Sequence, residues 1–535
     1  MSATDRPGIR QWTIRALRRP WKIVSSNIYT DIKATAKIQS QSQPPTPLTS
    51  EGSELEHSDR EFEADVEKAP SNPKRDKRPC STSLFDKVTT FAGTSLVLFF
   101  TIAFLLGWMI IGIVLGPTQT WQIALQNTSS IQCYISDTLL MRQQHNDCRD
   151  MLTLICELRS RNITCRRLLQ QIRHQSAVQE RDCGSVPKPV ESEAEAEVEG
   201  KINMKANVRP VDDDVHLPAR SLYDRICDPV VWAFGSLYAS IIYWAGIFVW
   251  LGLGATPSLQ WGNNWQLYIN TATAVELTFV SIFLQNTRQR HMNYVKECFQ
   301  SIMHEDEHME RRLRQISGDT GPNSVVEIQY DYRRETTRGN RVIDCYAVIV
   351  GSGVGLFISA IVFSVWIGIG QPMRWNSNWW LIIGTYTGLV GFIDGFVLRN
   401  VYFRGAGVVD AQFRVLAEED AALCEWFGTS LSLGTPVVEV KSLPDRISNK
   451  VGFWCSRPEA VLGACVAVVV VLAIATGMSW SETGQLICNT PTMIVGGFLL
   501  LVLIQAHDIT NRQRRLQVQD ILTRRLAINS QIECL

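Results

Sequence analysis

Residues 265–286, WQLYINTATAVELTFVSIFLQN, make a block long and apolar enough to cross a bilayer as a helix, yet Glu276 lies near its middle. A span takes about 20 apolar residues. Comparable blocks lie at approximately 89–115, 120–141, 229–254, 346–370, 379–398, 460–481 and 486–506. Some, such as GACVAVVVVLAIATGMSW at 463–480, are apolar all round, which a half-exposed helix of a soluble enzyme is not. Backbone polar groups in lipid must be satisfied within the segment. The class expected is therefore an all-α polytopic membrane protein with eight transmembrane helices. The 52 basic and 52 acidic residues cancel, so net charge points to no nucleic acid. The partners expected are membrane lipid and a small ion.

The blocks pair. Within pairs the connections are short and nearly uncharged (GPTQT, ATPSLQWGNN, QPMRWNSN, SETGQ); between pairs they are long and rich in Lys and Arg, as in NTRQRHMNYVK and HDITNRQRRLQ. Basic residues at helix ends mark the cytoplasmic side. The arrangement expected is four tandem, parallel-oriented hairpins with both termini in the cytosol. The hairpins occupy 83–143, 221–287, 341–404 and 445–507. Around them lie a disordered tail at 1–82, a cytosolic helix and acidic linker at 144–220, and a charged helix and loop at 288–340. A cytosolic connection at 405–444 and a C-terminal helix at 508–535 complete the chain. None of the 14 cysteines falls in an outer loop, so a disulfide framework is not expected.

An internal repeat sets a common register. Aligned on Thr128, Thr271, Thr385 and Thr490, the second helix of every pair carries a side-chain amide fifteen residues on, at Gln143, Asn286, Asn400 and Gln505. Upstream, Trp121, Trp265 and Trp379 mark the outer interface, and Trp480 holds a looser equivalent place. LFDKV, LYDRI and LPDRI precede the first spans of copies one, two and four; copy three has VIDCY.

In this register Asp137 and Asp394 stand nine residues past the Thr, and Glu276 five past it. Four residues of helix turn about 400° and rise roughly 6 Å, so the three acids share a face at two levels. A charged carboxylate at a span's centre costs about 2.5–3.5 kcal/mol and commonly marks an ion pathway. The alternative is structural pairing with Arg142 or Arg399, about 7.5 Å further along the axis. Around the acids lie Asn127, Gln132, Asn270, Thr273 and Asn489, with Cys133 one turn before Asp137. Mixed oxygen donors with an occasional sulfur suit a divalent transition metal, bound weakly. No cofactor is expected; the metal is cargo. The terminal amides Gln143, Asn286, Asn400 and Gln505, with Arg142 and Arg399, are expected to shape the cytosolic exit.

On IQCYISDTLLMRQQ (131–144), WQLYINTATAVELTFVSIFLQNTRQRH (265–291) and the YDRI…GS approach to the third span, the chain resembles the fungal low-affinity iron permeases across all four hairpins. The resemblance implies uptake of Fe²⁺, with Cu, Zn or Mn as further ions, at the plasma membrane. It leaves the proton coupling open. The single-unit bacterial relatives imply that four hairpins stand around a central axis lined by the even-numbered helices.

A rival motif is HEDEH at 304–308, which satisfies H-E-x-x-H. On a helix, His304 and His308 would hold zinc with Glu305 as general base, making a membrane metalloprotease. The charged Asp306 and Glu307 argue instead for a solvated helix face or a regulatory metal patch. A third class is a membrane scaffold whose acids are only paired.

Overall fold

The apolar blocks fold as helices, and each copy of the repeat builds three of them. The structure, a computed structural model, describes residues 32–36, 80–116, 118–182, 222–257, 260–328, 336–426 and 443–532. Copy one gives α1 (Cys80–Ala92), α2 (Ser95–Leu115) and α3 (Gln119–Asp182). Copy two gives α4 (Leu222–Phe234), α5 (Leu237–Gly254) and α6 (Asn263–Ser317). Copy three gives α7 (Arg338–Val350), α8 (Gly353–Gly370) and α9 (Ser377–Trp426). Copy four gives α10 (Leu443–Cys455), α11 (Pro458–Gly477) and α12 (Glu482–Ile532).

In copies one to three the first span is therefore shorter than its apolar block, because a 13-residue helix takes up the start of the block and the chain breaks between them; in copy four the break falls just before the block. The breaks are local chemistry. Ser236 and Ser352 turn their hydroxyls back to accept from Ala239 N and Val354 N at 3.2 Å, as N-caps do. Pro458 opens α11 at the position where a missing N–H costs nothing.

Among the described residues seven helices are long and apolar enough to cross a membrane: α2, α5, α6, α8, α9, α11 and α12. The expected span at 120–141 is the exception. Gln122, Gln126, Asn127, Ser129 and Ser130 lower the hydropathy of the first part of α3. In α2, α5, α8 and α11 only 11–17% of the apolar window is buried, against 56–72% in α6, α9 and α12. The former thus present an apolar surface outward; the latter form the interior.

The four long helices run parallel. Bonds between α3 and α6 join residues 141 to 149 positions apart, those between α3 and α9 join residues 253 to 260 apart, and Tyr402 and Ala506 link α9 to α12 at 104. The threonines of the repeat are 143, 257 and 105 positions apart across the same pairs, so equivalent residues sit at equivalent heights. Each long helix packs on two others, in the ring order α3, α6, α12, α9. Copies one, two, four and three therefore follow one another around the axis, and chain order is not ring order.

At the tryptophan end, the outer helices of copies two and three are clasped to their long helices. Trp366 and Trp379 stack at 4.1 Å and exchange bonds from each indole N–H to the other's carbonyl. Trp250 and Trp265 repeat the exchange at 6.2 Å. Trp480 belongs to a different position: with Ser479 it forms a left-handed pair matching Gln260–Trp261 and Arg374–Trp375. At the other end the long helices continue as a bundle. The expected connection at 405–444 is helical as far as Trp426, and in the expected helix and linker at 144–220 the helix runs to Asp182. Within the tail expected to be disordered, β1 (Lys33–Ala34) pairs antiparallel with β2 (Val326–Glu327) against that bundle. The other residues of the tail up to 79, and 183–221, lie outside the described residues.

Candidate ion-binding site

Along the face that each long helix turns inward, three layers follow one another. The first lies around the shared threonine. Asn127, Asn270 and Asn489, one residue before it, are at most 1% exposed, and copy three has Gly384 there. A side chain at Gly384 would collide with Asn127 Oδ1, so the absent side chain makes room for the amides of copies one and four. Asn127 donates to Ile123 O at 2.7 Å, but its Oδ1 and both polar atoms of Asn270 and Asn489 find no partner. Two residues past the threonine every copy carries a hydroxyl: Ser130, Thr273, Thr387 and Thr492. Each donates to a carbonyl one turn back, leaving its lone pairs free. Of these the sequence reading picked out only Thr273; the repeat register itself reveals the other three.

The second layer holds the acids. Asp137 on α3 is 4% exposed and Asp394 on α9 is fully buried. They lie within Coulombic reach of each other, and Asp137 Oδ2 is 3.6 Å from the Cβ position of Gly391 on α9. Asp394 Oδ1 accepts from Tyr346 Oη at 2.7 Å, while its Oδ2 has no partner. Glu276 is half-buried and turns toward α12, against Gly497, with neither oxygen partnered. Cys133 is within electrostatic reach of all three acids. Gln132 is turned aside, donating to Ser136 and Ser281. None of the three acids forms a salt bridge among the described residues. Arg399 is fully buried and feels Asp137, yet its Nη1 donates to Gly395 O, and its Nε and Nη2 meet no acceptor.

The third layer is apolar. Met141, Leu284, Leu398 and Leu503, thirteen past the threonine, are each 0% exposed and belong to one cluster. A further turn on, the helices enclose a cavity of about 90 Å³ whose wall includes His145, Cys148, Arg288, His291, Tyr402 and His507. Burial pushes His145 down to about 4, so it stays neutral. Asp147 in the same wall is pushed up to about 6 by burial, against the pull of Arg288 at 2.9 Å. This chamber was not foreseen. His145 and His507 both stand seventeen past the threonine, where copies two and three carry Arg288 and Tyr402, and His291 lies three residues further on, so the repeat register held a signal for two of the three.

Of the residues expected at an exit, Asn286 and Asn400 bond to helix breaks. Asn286 donates to Gly93 O at 2.9 Å and accepts from Arg290 Nε; Asn400 donates to Ser456 O at 2.6 Å and accepts from Arg404 Nε. Gln143 is buried and reaches Gln285 O only at 3.5 Å, and Gln505 is buried beside Gly235. Arg142 pairs with Asp86 at 2.8 Å. In HEDEH, His304 and His308 are exposed and Glu305 accepts from Asn529 at 3.0 Å. Asp306 corrects the picture of a solvated face: it is 0% exposed and pairs with Arg525 at 2.7 Å. Among the described residues no three of His, Cys, Asp and Glu are grouped to hold a metal.

The family profile described as low affinity iron permease matches residues 223–338 and 444–533, that is, copies two and four. The low-affinity iron/zinc ion transport protein of Schizosaccharomyces pombe is 44% identical over 83% of this chain and 72% of its own length. The low-affinity Fe(2+) transport protein of Saccharomyces cerevisiae is 36% identical over 84% of this chain and 82% of its own length. No solved structure matches. Identity of that extent, on a multi-pass helical protein with buried acids and orphaned amides on one axis, places the chain in the low-affinity iron permease family, a family of transporters and not of enzymes.

Proposed function

We propose that the protein is a low-affinity permease that imports Fe²⁺, and with it Zn²⁺ or another divalent transition metal, across the plasma membrane. The reading takes α3 as the eighth span, beside its three parallel neighbours, and so gives four tandem hairpins with the bundle and both termini in the cytosol. The ion enters at the tryptophan end and meets the amide layer, where Asn127, Asn270 and Asn489 replace part of its water shell. Asp137 and Asp394, with Glu276 at the side, then supply charge. Carboxylate and amide oxygens with one sulfur nearby favour a borderline dication, and with few nitrogen donors they release it readily.

The observation that carries this is the closeness of two buried carboxylates, on neighbouring parallel helices, with no guanidinium bonded to either. A scaffold with paired acids needs basic partners, and among the described residues none is bonded to Asp137 or Asp394. In cells without their own iron uptake, Asp137→Asn and Asp394→Asn each reduce radioactive iron uptake to background, with normal amounts of protein at the membrane. Normal uptake by both variants overturns the assignment of these acids. Competition by Zn²⁺, Mn²⁺ and Cu⁺ at two pH values defines selectivity and proton coupling.

A further inference from the structure

The chamber below the apolar layer has donors that the acid layer does not. His507 on α12 is 4% exposed, stacks on Tyr402 at 4.1 Å, and its Nε2 has no partner. His291 on α6 stands close enough for its charge to be felt at His507. Cys148 on α3 has only a weak contact, 3.9 Å to Gly405 O. The neighbouring carboxylate, Asp147, is engaged by Arg288. Imidazole nitrogen with a thiol nearby selects Fe²⁺, Co²⁺ or Zn²⁺ over Mg²⁺ and Ca²⁺. Two imidazoles leave the remaining positions to water, for which the cavity has room.

The chamber also has a way out. Straight ahead the axis is filled by Phe299, Ile302, Phe413, Leu416 and Ile521. Sideways, a groove of about 520 Å³ between α9 and α12 shares Ala406 and Thr510 with the chamber wall. Copy three contributes Gly405-Ala406-Gly407 here, the smallest residues of any copy at that height. Arg514 of the chamber wall pairs with Asp410 of the groove at 2.8 Å and lies over Phe413, so it stands across the connection.

We propose that the chamber is a second metal site, an inner station where His507 and His291 take a borderline dication and pass it sideways into the groove between α9 and α12. The direction of travel rests on the permease reading; the binding does not.

The test uses the full-length protein in lipid nanodiscs with Co²⁺ as probe. Wild type develops the visible ligand-field absorption of nitrogen-bound Co²⁺, and excess Mg²⁺ leaves it in place. His507→Gln with His291→Gln weakens that binding at least tenfold, at unchanged elution volume and helical circular dichroism. Asp137→Asn with Asp394→Asn retains it, which separates this site from the membrane-centre acids. Gly407 has open space around it, so Gly407→Trp folds, narrows the groove, slows uptake at least fivefold and leaves the Co²⁺ spectrum unchanged. Absence of the spectrum in wild type, or its persistence in the double histidine variant, overturns the station. Unchanged uptake by Gly407→Trp overturns the sideways route.

Discussion

Gly497 shows how tightly the acid layer is fitted. A Cβ there would collide with Glu276 Oε2 and come within 2.8 Å of Tyr243 Oη. At the same repeat position the other copies carry Ile135, Thr278 and Phe392, so the glycine is confined to the copy without an acid. The obstructed atom ends a flexible side chain, so Gly497→Ala folds by pushing the carboxylate aside. Uptake then falls severalfold. Adding Glu276→Gln to Gly497→Ala costs little more, because residues in contact are not additive; a double-mutant cycle of uptake rates checks this, and full additivity would detach Gly497 from Glu276. The acids themselves were legible in the sequence because a charge in an apolar block is conspicuous. Their neighbours were not. A common face fixed by helical period says nothing of which adjacent helix the carboxylate meets, and Glu276 meets α12 while Asp137 meets α9.

Among the elements, the terminal amide of copies two and three is a clamp. Asn286 ties the break between α1 and α2 of copy one to Arg290, which itself holds Asp224 on α4 at 2.6 Å. Asn400 does the same for the break of copy four through Arg404 and Asp344. Asn286→Ala leaves a buried carbonyl and one guanidinium N–H unsatisfied, a cost of about 1–3 kcal/mol. The melting temperature of the purified protein drops by several degrees, while half-saturation of uptake by the surviving protein is unchanged. An unaltered melting temperature with altered transport would return Asn286 to the exit. The repeat of this amide was readable because four copies share its spacing. The clamp was not, since its acceptors at Gly93 and Ser456 lie in neighbouring copies. The breaks carried a local signal in Gly235-Ser236 and Gly351-Ser352, which the continuous apolar blocks concealed.

For the whole molecule, sequence repeats tell which copies are alike but not which stand side by side; the ring order depends on packing. One buried layer of the bundle joins all four copies. Asp306 and Asp420, each 0% exposed, receive Arg525 at 2.7 and 2.9 Å, and Arg525 also donates to Asn162 on α3 at 2.7 Å. Four near-equivalent positions thus carry four different side chains, and that asymmetry suits a device that fixes register and ring order. Burial pushes the Asp306 carboxyl up to about 6 despite the pull of Arg525 and Arg161, against about 3.9 in an unfolded chain. The folded state therefore holds this proton more tightly. The stability it contributes is fully present below about 3.9 and is lost as pH rises through about 6. At about two pKa units, the difference amounts to roughly 3 kcal/mol at most. Asp306→Asn cannot titrate, so between pH 4 and pH 7 its melting temperature declines less than that of wild type. Parallel pH profiles for the two proteins would show that Asp306 is ionised throughout and that its pairing with Arg525 outweighs its burial.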